Sequence, residues 1–126
     1  RPHMNQGRVV HGNKTGRHLG FPTANIFLHR AASPVDGVFA VELFGIEGEP
    51  VPGVANVGTR PTVGGTRTLL EVHLFDFDRD IYGEYIHVDF VEHLREEEKF
   101  ASIDDLVAQM KTDEQNARFA LASAAT

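Results

Sequence analysis

Two segments of the chain alternate apolar and polar residues with a period of two. Leu70, Val72 and Leu74 interleave with Glu71, His73 and Phe75 within Leu69 to Phe77, and Ile86, Val88 and Phe90 interleave with Tyr85, His87 and Asp89 within Tyr85 to Val91. A period of two puts alternate side chains on opposite faces of a strand, so both segments are expected to be half-buried strands. Gly37 to Ile46 (GVFAVELFGI), after the Asp36-Gly37 turn, reads the same way, with Phe39, Val41 and Leu43 on one set. Gly7 to His11 and Val51 to Val57 are shorter β-branched stretches, and Gly58 to Gly65 reads as a turn-rich connection.

The period changes once. Ile103, Leu106, Val107, Met110, Ala117 and Leu121 fall near helical spacing, with Ser102 and Asp105 at capping distance. About five strands followed by one helix, without alternating strand and helix units, predict an antiparallel sheet or small barrel with a C-terminal helix packed on it. At 126 residues one domain with one core is expected. No apolar run approaches the roughly 20 residues a membrane-spanning helix needs, so no membrane role is expected.

Composition excludes several functions. With no cysteine there is no disulfide, thiolate nucleophile or thiolate metal site, and the cytoplasm is favoured. A net charge of −6 argues against binding a nucleic-acid backbone, so any polyanion partner should be small. Seven histidines show no zinc-ligand spacing, and Glu96-Glu97-Glu98 reads as a solvated face.

The candidate chemistry lies in two places. Gly7 to Thr15 approaches a phosphate-binding loop, but Asn13 interrupts the pattern and further glycines stand where a helix should open. What remains is a glycine-punctuated loop, Gly12 to Gly20, carrying Lys14 and Arg17, which is either a surface excursion or a lid over phosphates. It leads into Gly20-Phe21-Pro22-Thr23-Ala24-Asn25. Pro22 biases Phe21 toward extended geometry, and in an extended run Thr23 and Asn25 share a face. Their hydroxyl and amide oxygens are hard ligands suited to Mg²⁺, although Thr and Asn after Pro also satisfy backbone groups in ordinary turns, and on spacing alone the turn comes first. Glu71, on the less apolar face of its strand, is either a general base or a solvated carboxylate. His73 reads as a strand residue without chemistry.

Taken in order, Gly7-Arg8-Val9-Val10-His11-Gly12 and Gly16 to Asn25 resemble the signature of the riboflavin kinases, a glycine loop leading into Pro-Thr-Ala-Asn. Asn56 to Thr62, Glu71-Val72-His73-Leu74, Asp80-Ile81-Tyr82-Gly83, and Arg95 with Glu98-Lys99-Phe100 resemble that family's later blocks, so the likeness covers nearly the whole chain. Arg60 stands where some members carry Asn.

The resemblance implies a Greek-key barrel of about six antiparallel strands plus the helix, and Mg²⁺-dependent transfer of the ATP γ-phosphoryl group to the 5′-hydroxyl of riboflavin, giving FMN and ADP. It implies Thr23 and Asn25 as metal ligands and Glu71 as catalytic base. Nucleotide binding would fall to Gly12, Lys14, Gly16, Arg17, Gly20, Pro22, Thr23, Asn25 and Tyr82, and flavin binding to Thr62, Glu71 and Arg95. The loop from Gly58 to Thr66 would be a flap closing over substrate. It further implies that residues 1–6 are a linker remnant, that residues 7–126 are the kinase-like domain, and that an N-terminal FMN adenylyltransferase module is its native partner. Two other classes stay open: a non-catalytic flavin-binding barrel, and an oligonucleotide-binding barrel, which lacks the basic, aromatic surface such proteins use.

Overall fold

The computed structural model describes residues 4–10, 23–30, 36–46, 48–77 and 80–124. Six strands, β1 (Met4–Val10), β2 (Ala24–Arg30), β3 (Gly37–Phe44), β4 (Val51–Thr62), β5 (Gly65–Leu74) and β6 (Tyr85–Arg95), precede one helix, α1 (Ile103–Ala124). The strands close into a barrel in the order β1-β2-β5-β4-β3-β6, β6 returning to pair with β1. Every pairing is antiparallel. Closure removes the unpaired sheet edges that an open sheet would expose.

The alternation seen in the sequence sorts side chains to the two faces of this barrel. Ile26, Val41, Leu43, Ala55, Val57, Leu70, Val72, Ile86 and Val88 are fully buried and meet inside it. Their polar neighbours therefore point outward. A second, smaller cluster lies on the outer face, where Ala40 and Phe75 pack against Ala117 and Ala120 of α1, flanked by Val54, Leu94 and Leu121. Small alanine side chains on the helix let it approach the sheet closely. Phe75, grouped with Glu71 and His73 by alternation, is thus buried under the helix rather than facing solvent.

The helix begins where its cap predicts. The Asp105 N–H donates to Ser102 Oγ at 3.1 Å, and the Leu106 N–H donates to the Ser102 carbonyl at the same distance. Asp104 and Asp105 place negative charge on the first turn, where the helix dipole favours it. Ile103, placed in the apolar stripe by spacing, is instead 64 % exposed, because packing on the sheet is made further along the helix.

Three boundaries differ from the sequence reading. No strand was expected between the first loop and Pro34, yet β2 runs there, its Ile26 and Leu28 buried in the core. Gly58 to Gly65, read as a turn-rich connection, is mostly ladder: β4 continues to Thr62 and β5 resumes at Gly65, leaving Val63-Gly64 as a two-residue turn with Gly64 at φ +88. A hairpin turn this tight needs positive φ, which glycine adopts without strain. β5 in turn stops at Leu74, and Asp76 takes a left-handed φ of 54.

Closure also fixes one residue identity. Gly37 opens β3 at φ +142, and a Cβ there would lie 2.7 Å from the Arg95 carbonyl oxygen and 2.7 Å from His93 Nε2. Only glycine lets β3 meet the irregular register of β6 at this point.

Candidate active site

The site is assembled across strands. In the β2–β5 ladder Asn25 pairs directly with Glu71, and in the β4–β5 ladder Glu71 pairs directly with Asn56. Directly paired residues hold their Cβ atoms about 5 Å apart. Inward-facing Ile26, Leu70, Val72, Ala55 and Val57 flank these three on their strands, so Asn25, Glu71 and Asn56 form one polar row on the outer face. Asn25 is only 8 % exposed despite pointing outward, Glu71 is half-buried, and Asn56 is exposed. The sequence offers Asn25 and Glu71 as separate motifs; the register makes them neighbours.

Thr23, two residues before Asn25, has a buried Oγ1 with no hydrogen-bond partner among the described residues. An unsatisfied buried hydroxyl costs about 1–3 kcal/mol, so the position is under strain until something donates to it or is coordinated by it. Among the described residues its hydroxyl meets no backbone group of the kind the expected turn role calls for. Among the described residues no group of three or more His, Cys, Asp or Glu side chains gathers as a metal cage. The donors on offer are instead one hydroxyl and one amide oxygen beside a single carboxylate. That set suits a hard divalent cation sharing its remaining positions with water and phosphate oxygens.

The block from Asp80 to Glu84 is tied to this end of the barrel. Val9 donates its N–H to the Glu84 carbonyl at 3.0 Å, and Gly83 donates to the Val9 carbonyl at 2.9 Å, while Ile81 plugs the core. Val10, the next residue, pairs with Asn25. Tyr82, half exposed, therefore stands within two strands of Glu71, its N–H held by Asp80 Oδ1 at 3.0 Å.

Arg95 lies on the same row at greater distance: Val38 pairs with Asn56 on one side and Arg95 on the other. Three strand spacings separate Glu71 from Arg95, roughly 14 Å. The guanidinium grips the helix, Nε and Nη2 each donating to buried Asp113 at 2.8 Å, while Nη1 donates to the Glu96 carbonyl at 2.9 Å. This hydrogen bonding holds the Arg95 pKa above its ordinary value, with partial burial opposing it. A two-pronged pair with a buried carboxylate fixes both partners, and Phe100 lies under the guanidinium at 5.8 Å. Asp113, which also accepts from Gln109 at 2.9 Å, is a residue that spacing alone did not single out.

Thr62 sits at the tip of the β4–β5 hairpin, paired with Gly65. Six residues of strand separate it from Asn56, roughly 20 Å along β4, so the fold does not bring it to the row around Glu71. His73 shares the outer face of β5 with Glu71 and lies 3.7 Å from Glu114 of the helix. Gly12, Lys14, Gly16, Arg17, Gly20 and Pro22 lie outside the described residues.

A family model described as Flavokinase, riboflavin kinase, matches residues 1–121. The chain is 55 % identical over 117 residues to the bifunctional riboflavin kinase/FMN adenylyltransferase of Escherichia coli K12, covering 93 % of this chain and 37 % of that protein. It thus spans a little over a third of the curated relatives it matches. Two solved structures share the fold. One, described as a macrolide-efflux protein from Streptococcus pneumoniae, has a TM-score of 0.81 and 42 % identity, covering 91 % of this chain and 38 % of that one. The other, riboflavin kinase from Trypanosoma brucei, has a TM-score of 0.62 and 25 % identity, covering 94 % of this chain and 78 % of that one. With a matching family model over nearly its full length and a closed six-stranded barrel carrying the matched blocks, the chain belongs to the riboflavin kinase family.

Proposed function

We propose that this domain is a riboflavin kinase, transferring the γ-phosphoryl group of ATP to the 5′-hydroxyl of riboflavin to give FMN and ADP. The observation that carries the reading is the direct pairing of Asn25 with Glu71, with Thr23, whose buried hydroxyl has no partner among the described residues, two residues before Asn25. A base and two neutral oxygen ligands side by side are what phosphoryl transfer to an alcohol asks of a protein. No covalent intermediate is needed, because positioning and charge neutralisation do most of the work.

In this reading Thr23 and Asn25 hold a divalent cation, Mg²⁺, against the nucleotide phosphates. When bound, that cation neutralises charge on the phosphate oxygens. Glu71 accepts a hydrogen bond from the ribityl 5′-hydroxyl and orients its oxygen toward the γ-phosphorus. As the new O–P bond forms and the bond to ADP breaks, the hydroxyl proton passes to the carboxylate. A glutamate of reference pKa about 4.3 cannot ionise an alcohol beforehand, so it takes the proton only as transfer proceeds. The Gly12 to Gly20 loop supplies backbone donors to the phosphates, with Lys14 and Arg17 as counter-charges. Tyr82, near Asn25 through β1, lies on the nucleotide side, and Arg95, Thr62 and the hairpin flap on the flavin side. The native partner is an N-terminal FMN adenylyltransferase module, as in the bifunctional relatives.

A non-catalytic flavin carrier would have no use for a carboxylate paired with a buried asparagine at a cation seat, and the row of Asn25 and Glu71 favours the kinase. Incubation with riboflavin, ATP and Mg²⁺ followed by chromatographic separation of flavins is expected to yield FMN, dependent on both ATP and the cation. A flavin pool that stays entirely riboflavin, where a control kinase converts it, overturns the reading.

A further inference from the structure

Asn56 is an anomaly for its place. Asparagine is depleted in strands, yet this one sits in mid-strand in the closed barrel, between fully buried Ala55 and Val57. Its side chain is exposed on the outer face, directly opposite Glu71. Local choices that go against the strand they occupy concentrate at functional positions. Glu71 thus stands between two amides, of which Asn25 is buried at the cation seat and Asn56 is open on the other side. Beyond Asn56 the row continues through Val38, which is buried, to Arg95.

From this register we infer that Asn56 is a specificity residue for the ribityl chain. Its amide, able to donate and accept, hydrogen-bonds the secondary hydroxyls next to the one held by Glu71. The inference rests on the riboflavin kinase reading and adds a role that Glu71 and Arg95 do not fill. A site built to pair with substrate hydroxyls discriminates against an analogue that lacks them, because its own polar group is then left unpaired.

The test compares riboflavin with a flavin carrying a 5-hydroxypentyl chain, which keeps the terminal hydroxyl and loses the secondary ones. Affinities of the 126-residue chain for both are read from flavin fluorescence, for wild type, Asn56→Ala and Asn56→Thr. The threonine variant has high strand propensity and keeps one hydroxyl, guarding against a change that acts through folding. Wild type should prefer riboflavin by about tenfold or more. Asn56→Ala should lose about tenfold on riboflavin and less than about twofold on the analogue, with Asn56→Thr between, as a double-mutant cycle requires for a direct contact. Equal weakening on both flavins, or none, overturns the assignment. Discrimination lost in Asn56→Ala while wild type forms no FMN would remove the kinase reading and leave Asn56 as a flavin-side ligand. FMN formation with unchanged discrimination would do the reverse, and failure of wild type to bind either flavin would remove both.

Discussion

Glu71→Gln is expected to lower turnover by about 10²-fold or more while leaving riboflavin and nucleotide affinity little changed. Glutamine keeps the length of the side chain and a carbonyl oxygen that can still accept from the ribityl hydroxyl, but it cannot take the proton. Losing a positioned general base typically costs 10²–10⁴-fold. The substitution is also mild for the fold, since Glu71 is on the outer face and its inward neighbours Leu70 and Val72 carry the packing. A drop in kcat with an unchanged KM for riboflavin would mark an interaction made in the transition state. Near-normal turnover would remove Glu71 from the role of base and leave the row as a binding surface.

Thr23→Val and Asn25→Leu should act on the cation and not on the proton. Each keeps approximate shape and deletes a proposed oxygen ligand, so the Mg²⁺ needed for half-maximal FMN formation should rise at least about tenfold, with turnover at low Mg²⁺ falling by about 10²-fold. The two variants should part company in stability. Thr23 Oγ1 is buried without a partner among the described residues, so replacing the hydroxyl by a methyl removes an uncompensated polar group, and Thr23→Val should melt a few degrees higher than wild type without ligand. In the presence of Mg²⁺ and ADP the order should reverse, because wild type gains more from a ligand it binds more tightly. A Thr23→Val protein less stable than wild type under both conditions would mean that the hydroxyl serves the fold.

Much of this arrangement was legible in the sequence, for reasons that differ residue by residue. Alternation around Glu71 predicted its face because Leu70, Val72 and Leu74 had to be inside. The C-terminal helix was legible from its period and from Ser102, whose hydroxyl does cap it. β2 was hidden because Ala24 to Arg30 is short and closely follows a proline in the sequence, so only its pairing with β1 and β5 establishes it as a strand. The hairpin of β4 and β5 was hidden for the opposite reason: its glycines and proline read as loop, whereas ladder pairing overrides local propensity there.

The site shows the same division. Thr23, Asn25 and Glu71 were named from motifs, yet nothing in their spacing states that Asn25 and Glu71 are direct neighbours, because register is a property of strand pairing and not of one segment. Asn56, quoted only as the start of a block, was given no role for that reason, although an asparagine between Ala55 and Val57 is a visible irregularity. Arg95 was placed with the flavin by its block, while its link to Asp113, 18 residues away, appears only once the helix is docked.

The central claim is that the cation seat of Thr23 and Asn25 lies against Glu71, and distance tests it most directly. With Mn²⁺ and ADP bound in place of Mg²⁺, the carboxyl carbon-13 resonance of Glu71, identified by its loss in Glu71→Gln, should be broadened beyond detection. Asn25 and Glu71 are a direct cross-strand pair, with Cβ atoms about 5 Å apart, well within the reach of paramagnetic relaxation. Glu42, which pairs with Pro52 and Asp89 on other strands, should stay sharp. A Glu71 resonance as sharp as that of Glu42 under saturating Mn²⁺ and ADP would contradict the account.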